Sequence, residues 1–193
     1  MNFLAHSFLS FNDEQIAGNL IGDFIKNRDR KQLPEKVQQG IMLHRAIDAF
    51  TDVHPKVSEA KTVFQPLVRL YSGAFVDVVF DYFLANDESI KSAQEWRDFT
   101  AHVYKVLYKY ENILPENFRQ ILPRMQQDNW LYNYRNDWGM EYSIGNVLRK
   151  AKFLENETPV YGVFIHHKPF LKNCFDEFFP DLRQFCVKMN ETF

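Results

Sequence analysis

Cysteine is scarce in this chain of 193 residues: Cys174 and Cys186 are the only two. Two thiols cannot staple a disulfide framework and here lack the spacing of a zinc-ligand pair, which points to a reducing compartment. Excess charge is lacking too. A formal net charge of −2 excludes the strong positive surplus behind non-specific nucleic-acid binding. No apolar run approaches the ~20 residues of a transmembrane helix, and the apolar opening "MNFLAHSFLSF" has no basic segment ahead of it, so it is a poor signal peptide. The expectation is a cytoplasmic protein that binds neither nucleic acid nor membrane. Glycine is sparse at seven residues, and alternating runs joined by Asn-Gly or Asp-Gly turns are absent, which argues against a hairpin-based β fold. What remains is long apolar spacing of the 3.6 type, so the fold class is all-α, a helical bundle. With 46% hydrophobic residues, a chain of this length suits one compact domain spanning residues 1–193.

Local signals mark the helices. Asn12, followed by Asp13 and Glu14, offers an N-cap and dipole-matching acids for a helix running through residue 27. Gly18 and Gly22 within it would let another backbone come close. Pro34 opens the next helix, and Pro55 should stop it near residue 53. A third helix is expected over 57–71, kinked or divided at Pro66. "GAFVDVVFDYFLA", residues 73–85, is apolar nearly all round, as a buried helix is. Ser92 and Glu95 form a capping box for the helix that follows. Shorter helices are expected from Pro115 to about 137 and from 139 to 154, with a last one from about 169 that bends or restarts at Pro180.

The charges are in unexpected places. On the helix through "GIMLHRAIDAFTD", residues 40–52, a 100° step puts Val37, Ile41, His44, Asp48, Thr51 and Asp52 on roughly one third of the circumference. This stripe starts apolar and then presents ionisable groups, while Leu43, Ala46 and Phe50 supply an apolar stripe opposite. Asp77 and Asp81 lie one turn apart in the apolar helix, and Asp23 sits between aliphatic and aromatic neighbours with Asn19 one turn before it. Burying several unpaired carboxylates costs several kcal/mol apiece. A divalent cation removes that cost, and imidazole with carboxylate suits Mn²⁺, Mg²⁺, Fe²⁺ or Zn²⁺.

Four blocks, "MNFLAH" at the start, "GNLIGDFIK" at 18–26, "GIMLHRAIDAFTD" at 40–52 and "DVVFDYFLA" at 77–85, occur in an order that resembles the acyl carrier protein phosphodiesterase family. "NWLYNYR" (129–135) and "FFPDLRQF" (178–185) resemble its later parts. The resemblance implies an all-helical fold distantly related to the HD phosphohydrolases. It also implies hydrolysis of holo-acyl carrier protein to apo-protein and 4′-phosphopantetheine with a divalent metal, typically Mn²⁺. The family's motif positions fall on His6, Asp23, His44, Arg45, Asp48, Asp52, Asp77 and Asp81. Tyr82 stands where related sequences often carry His, and no adjacent His-Asp dyad is present. The link to HD enzymes therefore rests on His44 and Asp48 being one turn apart.

From these residues the expected metal ligands are His6, Asp23, His44, Asp48 and Asp81. Asp23, His44, Arg45, Asp48 and Asp52 are the expected catalytic groups. Arg45 either clamps a phosphoryl oxygen or pairs with Asp48 or Asp52. Acyl carrier proteins are acidic, so a basic surface should lie near the metal. "KNRDRK", with Lys26, Arg28, Arg30 and Lys31, is its best candidate, ahead of "RKAK" at 149–152 and "HHK" at 166–168. Trp130, Tyr132 and Tyr134 are either core or the lining of a channel for the pantetheine arm. The rival readings are an HD-type phosphohydrolase of nucleotides or other small phosphoesters and a non-catalytic carrier-protein binder.

Overall fold

The structure is a computed structural model that describes residues 1–193. It is helical throughout, without strands: α1 (Phe3–Phe8), α2 (Asp13–Leu20), α3 (Asn27–Arg30), α4 (Glu35–Val53), α5 (Pro55–Val68), α6 (Ser72–Ala85), α7 (Ala93–Lys109), α8 (Glu116–Gln127), α9 (Trp130–Asn133), α10 (Asp137–Lys150) and α11 (Val160–Asn190). One contiguous core of 48 buried residues joins them.

Several boundaries follow the local chemistry. Asn12 accepts from the Gln15 N–H and so caps α2, and Ser92 with Glu95 closes a capping box on α7, each satisfying N–H groups that a helix start leaves unpaired. His54 ends α4 and begins α5, its imidazole accepting from the Lys56 N–H while Pro55 takes the first helical position.

Other boundaries differ from the expectation, and packing is the reason. α2 stops at Leu20, and residues 22–24 form a 3-10 turn, because Ile21 is fully buried and the chain must turn beneath α4. Pro66 lies inside α5 without dividing it; the break comes at Arg69, whose φ of 50° reverses the chain so that α6 packs on α5. The stretch expected from Pro115 to about 137 is divided at Asn129, which is left-handed at φ 44°, a conformation Asn tolerates better than most residues. α11 starts at Val160, nine residues earlier than expected, and runs for 31 residues straight through Pro169 and Pro180. An interior proline costs about 3 kcal/mol, but Leu171, Phe175, Phe178 and Leu182 on this helix are buried and contribute about 1.5–3 kcal/mol each. Packing outweighs the lost hydrogen bonds.

α6 is the centre of the core, with Phe80 against Phe175 and Phe178 of α11 at ring distances of 5.6 and 5.4 Å. Residues 55–85 together are long and apolar enough to cross a membrane by length and composition, contrary to the expectation that no such run exists. In the fold they are two packed 14-residue helices, each about 21 Å long at 1.5 Å per residue against a ~30 Å hydrocarbon core. Cys174 and Cys186 are buried and free; burial raises both thiols, Cys186 to about 12.

The contact that places the site is between α2 and α4, the most extensively packed helix pair. A Cβ on Gly18 would stand 2.1 Å from the Val37 carbonyl oxygen, and one on Gly40 would stand 2.4 Å from that of Gln15. Backbone meets backbone here, as expected for Gly18. Gly22 differs: its missing Cβ leaves room for the His44 ring, whose Cγ would lie 2.3 Å away. Gly18→Ala and Gly40→Ala should each lower stability by about 2 kcal/mol or more in urea unfolding. Gly162→Ala, where a Cβ meets nothing within 4 Å, should be neutral or stabilising by up to about 1 kcal/mol. Equal midpoints for all three variants would show that α2 and α4 are free to separate.

Candidate metal centre

Two histidines and an aspartate converge from two helices. α1 supplies His6, and α4 supplies His44 and, one turn on, Asp48; their ligand atoms all lie within 4.8 Å of one another. His6 Nε2 is 3.2 Å from Asp48 Oδ1, and His44 Nε2 is 3.1 Å from Asp48 Oδ2. Asp23, on the turn after α2, approaches His44 Nε2 at 3.2 Å. The two imidazoles stack at 4.1 Å and are buried, while Asp48 is 41% and Asp23 79% exposed at the side chain. These groups line a polar cavity of about 230 Å³ that also includes Asp52, Asp77 and Thr51 and no lysine or arginine.

Hydrogen bonding fixes the His6 tautomer. The Asn19 amide nitrogen donates to the His6 carbonyl at 2.8 Å and to Ser10 Oγ at 3.1 Å, so its oxygen must be the atom facing His6 Nδ1, 2.8 Å away. Oδ1 can only accept, so Nδ1 carries the proton and the neutral ring presents a bare Nε2 to Asp48. Burial lowers the His6 imidazole below its ordinary value, and the charge of His44 adds to the effect against the pull of Asp48. The neutral ring therefore turns a lone pair toward a carboxylate oxygen, and the protonated His44 ring beside Asp48 relieves the repulsion between the two acceptors. In His44, burial works to lower the imidazole, but hydrogen bonds to Asp23 and Asp48 outweigh it and raise it to about 9. The bond from His44 holds Asp23 low and, against burial, holds the Asp48 carboxyl well below the usual carboxylate range. In the metal-free protein a proton on His44 is the cation of this cluster.

The structure thus brings together four of the five expected ligands: His6, Asp23, His44 and Asp48. Asp81 stands apart. It is fully buried, and its carboxylate accepts from the backbone N–H groups of Asn2, Leu4 and Ala5 at 2.8–3.4 Å, capping the N-terminus of α1. Burial pushes this carboxyl up to about 7, against the residue-1 ammonium and those N–H donors. Asp77 accepts from the amino group of Met1 at 2.9 Å. Asp52 lies at the cavity rim and meets Lys61 at 3.3 Å. Arg45 does not line the cavity and pairs with neither Asp48 nor Asp52: its guanidinium donates to the Ile25 carbonyl at 3.1 Å and to the Asn27 side chain. It fastens the start of the basic segment beside His44. In that segment Lys26, Arg28 and Lys31 are exposed, Arg30 is half-buried, and Arg28 pairs with Asp29 at 3.3 Å.

Two contributors were named in the sequence reading without a role. Asn19 sets the His6 tautomer, and its spacing of one turn from Asp23 was the available signal. Thr51, 3% exposed with a hydroxyl that has no partner, lines the same cavity, as its position on the stripe of His44 and Asp48 allows.

The pH behaviour of the chelator-treated protein follows from His44. Its folded value of about 9 lies above the ordinary imidazole value of ~6.5, so the stabilisation is fully present below that value and is lost as pH rises through 9. With both carboxylates partly solvated, the expected loss between pH 6.5 and 9.5 is about 1–2 kcal/mol. Urea midpoints should fall over that range in wild type and fall clearly less in His44→Gln, where only the smaller contribution of Asp81 below about pH 8 remains.

Comparison with known proteins places this geometry in context. Residues 1–182 match the family described as "Acyl carrier protein phosphodiesterase". A protein of that name from Yersinia pestis is 30% identical over 186 residues, covering 94% of this chain and 95% of its own length. Another from Photorhabdus laumondii subsp. laumondii is 31% identical and covers 69% of each chain. One from Escherichia coli O6:H1 is 28% identical over 187 residues, 95% of this chain and 96% of its own. No solved structure matches the chain, so the expected kinship to the HD phosphohydrolases gains no support from that side. The match over nearly the whole chain and the shared length of these relatives lead to one conclusion: this chain belongs to the acyl carrier protein phosphodiesterase family.

Proposed function

We propose that this protein hydrolyses the phosphodiester joining 4′-phosphopantetheine to the serine of holo-acyl carrier protein, releasing apo-protein, and that it does so with a divalent cation. The names of its relatives supply the substrate class. The observation that carries the reading is the convergence of His6, His44 and Asp48 in a cavity with four aspartates and no lysine or arginine in its lining. Such a cavity repels a phosphodiester anion unless a cation is present.

His6, His44 and Asp48 would hold the ion, with Asp23 close enough to join them. Two imidazoles and a carboxylate suit Mn²⁺ or Fe²⁺ better than Mg²⁺, which prefers oxygen ligands and water. When bound, the ion shields phosphate charge and lowers the pKa of water. The protein's own tasks are separate. Asn19 keeps His6 in the tautomer that presents Nε2. Asp23, exposed at the mouth, is placed to accept the proton of an attacking water and to orient it. Asp52, at the rim and tied to Lys61, has an open carboxylate oxygen for a second water. Lys26, Arg28, Arg30 and Lys31, anchored by Arg45, offer the acidic carrier protein a basic surface. The scarcity and burial of cysteine support a cytoplasmic location for this reaction.

Intact mass spectrometry of holo-acyl carrier protein incubated with the enzyme and Mn²⁺ should show loss of the phosphopantetheine group. Asp48→Asn and Asp23→Ala should slow it by about 10²-fold or more, and an unchanged mass with every carrier protein tried would refute the substrate. In calorimetry near pH 7.5, Mn²⁺ binding should release about one proton, from His44, seen as a dependence of the heat on buffer ionisation enthalpy. His44→Gln should abolish that dependence.

A further inference from the structure

A second cavity adjoins the metal centre. It has a volume of about 240 Å³, and Asn2 and Phe3 belong to the walls of both. The partition is the start of α1, the helix that carries His6 one turn further on. Phe3, Trp130, Tyr134, Trp138 and Tyr142 give the second cavity apolar walls, with Asn146 among its polar groups.

Its chemistry differs from its neighbour's. Only one acid, Asp128, and one base, Lys150, are among its lining residues, so it favours no net charge. Trp138 is 58% exposed, an aromatic left in water at the edge of a concave site. The indole N–H of Trp130 is buried and has no partner, a state that costs about 1–3 kcal/mol.

We infer that this cavity holds the pantetheine arm of the substrate while its phosphodiester lies in the metal cavity across Phe3. The inference rests on the reaction proposed above. The arm is uncharged beyond its phosphate, is partly aliphatic, carries two amide groups and is joined to the phosphate at one end. Aromatic and amide walls continuous with an anion site complement each part of it. The sequence expectation that Trp130, Tyr132 and Tyr134 line a channel is divided by the structure. Trp130 and Tyr134 line this cavity, whereas the Tyr132 hydroxyl accepts from Arg97 and Arg135 at 3.3 Å on the other side of α9.

The test uses pantetheine, which lacks phosphate, titrated calorimetrically into the full chain in chelator. It should bind wild type and Asp48→Asn alike, and Trp138→Ala and Tyr142→Leu should weaken it about tenfold. With holo-acyl carrier protein and Mn²⁺, the same two variants should raise KM more than they lower kcat. Turnover of holo-protein with pantetheine binding absent, or indifferent to both substitutions, would overturn the arm site and leave the reaction standing. Binding that depends on Trp138 without turnover of any carrier protein would uphold the cavity's ligand and refute the reaction instead. The exposed position of Trp138 keeps its substitution compatible with folding, and Tyr142→Leu provides an independent reading.

Discussion

The close approach of α2 to α4 is the constraint on which the site depends. Because Gly18 and Gly40 carry no side chain, the two backbones touch, and everything C-terminal to the contact lands in register. Asn19 comes to lie beside His6, the chain turns at Gly22 under the His44 ring, and Asp23 emerges at His44 Nε2.

A second requirement is that α1 stay where it is, since a six-residue helix has little stability of its own. Asp81 meets it by presenting a buried carboxylate to the helix N-terminus. The acid expected to bind metal instead holds the helix that carries His6. The cluster is then balanced internally: the proton on His44 is shared between two carboxylates, and a divalent cation would replace it at the same place. This exchange of one positive charge for another lets a cavity rimmed by aspartates exist without unfolding the protein.

Much of this was legible in the residues, and the failures have physical causes. The stripe of His44, Asp48 and Asp52 was visible because helical periodicity is a local property. The pairing of His44 with His6 was foreseeable only through resemblance, since nothing local links positions 38 residues apart. Asp81 misled because a buried acid on an apolar helix looks the same whether it meets a cation or a ring of backbone N–H groups. Arg45 misled for a similar reason, since sequence gives its charge but not the carbonyl of Ile25. The helix boundaries at Leu20 and Val160 were misplaced because tertiary packing decides them, in one case against two prolines.

The burial of Cys174 and Cys186 has a bearing on the chemistry of the proposed substrate. The pantetheine arm ends in a thiol, and thiol–disulfide exchange needs an accessible thiolate on the attacking side. Neither cysteine offers one, as both are enclosed and shifted toward the protonated form. In the proposed reaction the product carries a free thiol, and the burial of both cysteines shields the protein from being captured by it under oxidising conditions.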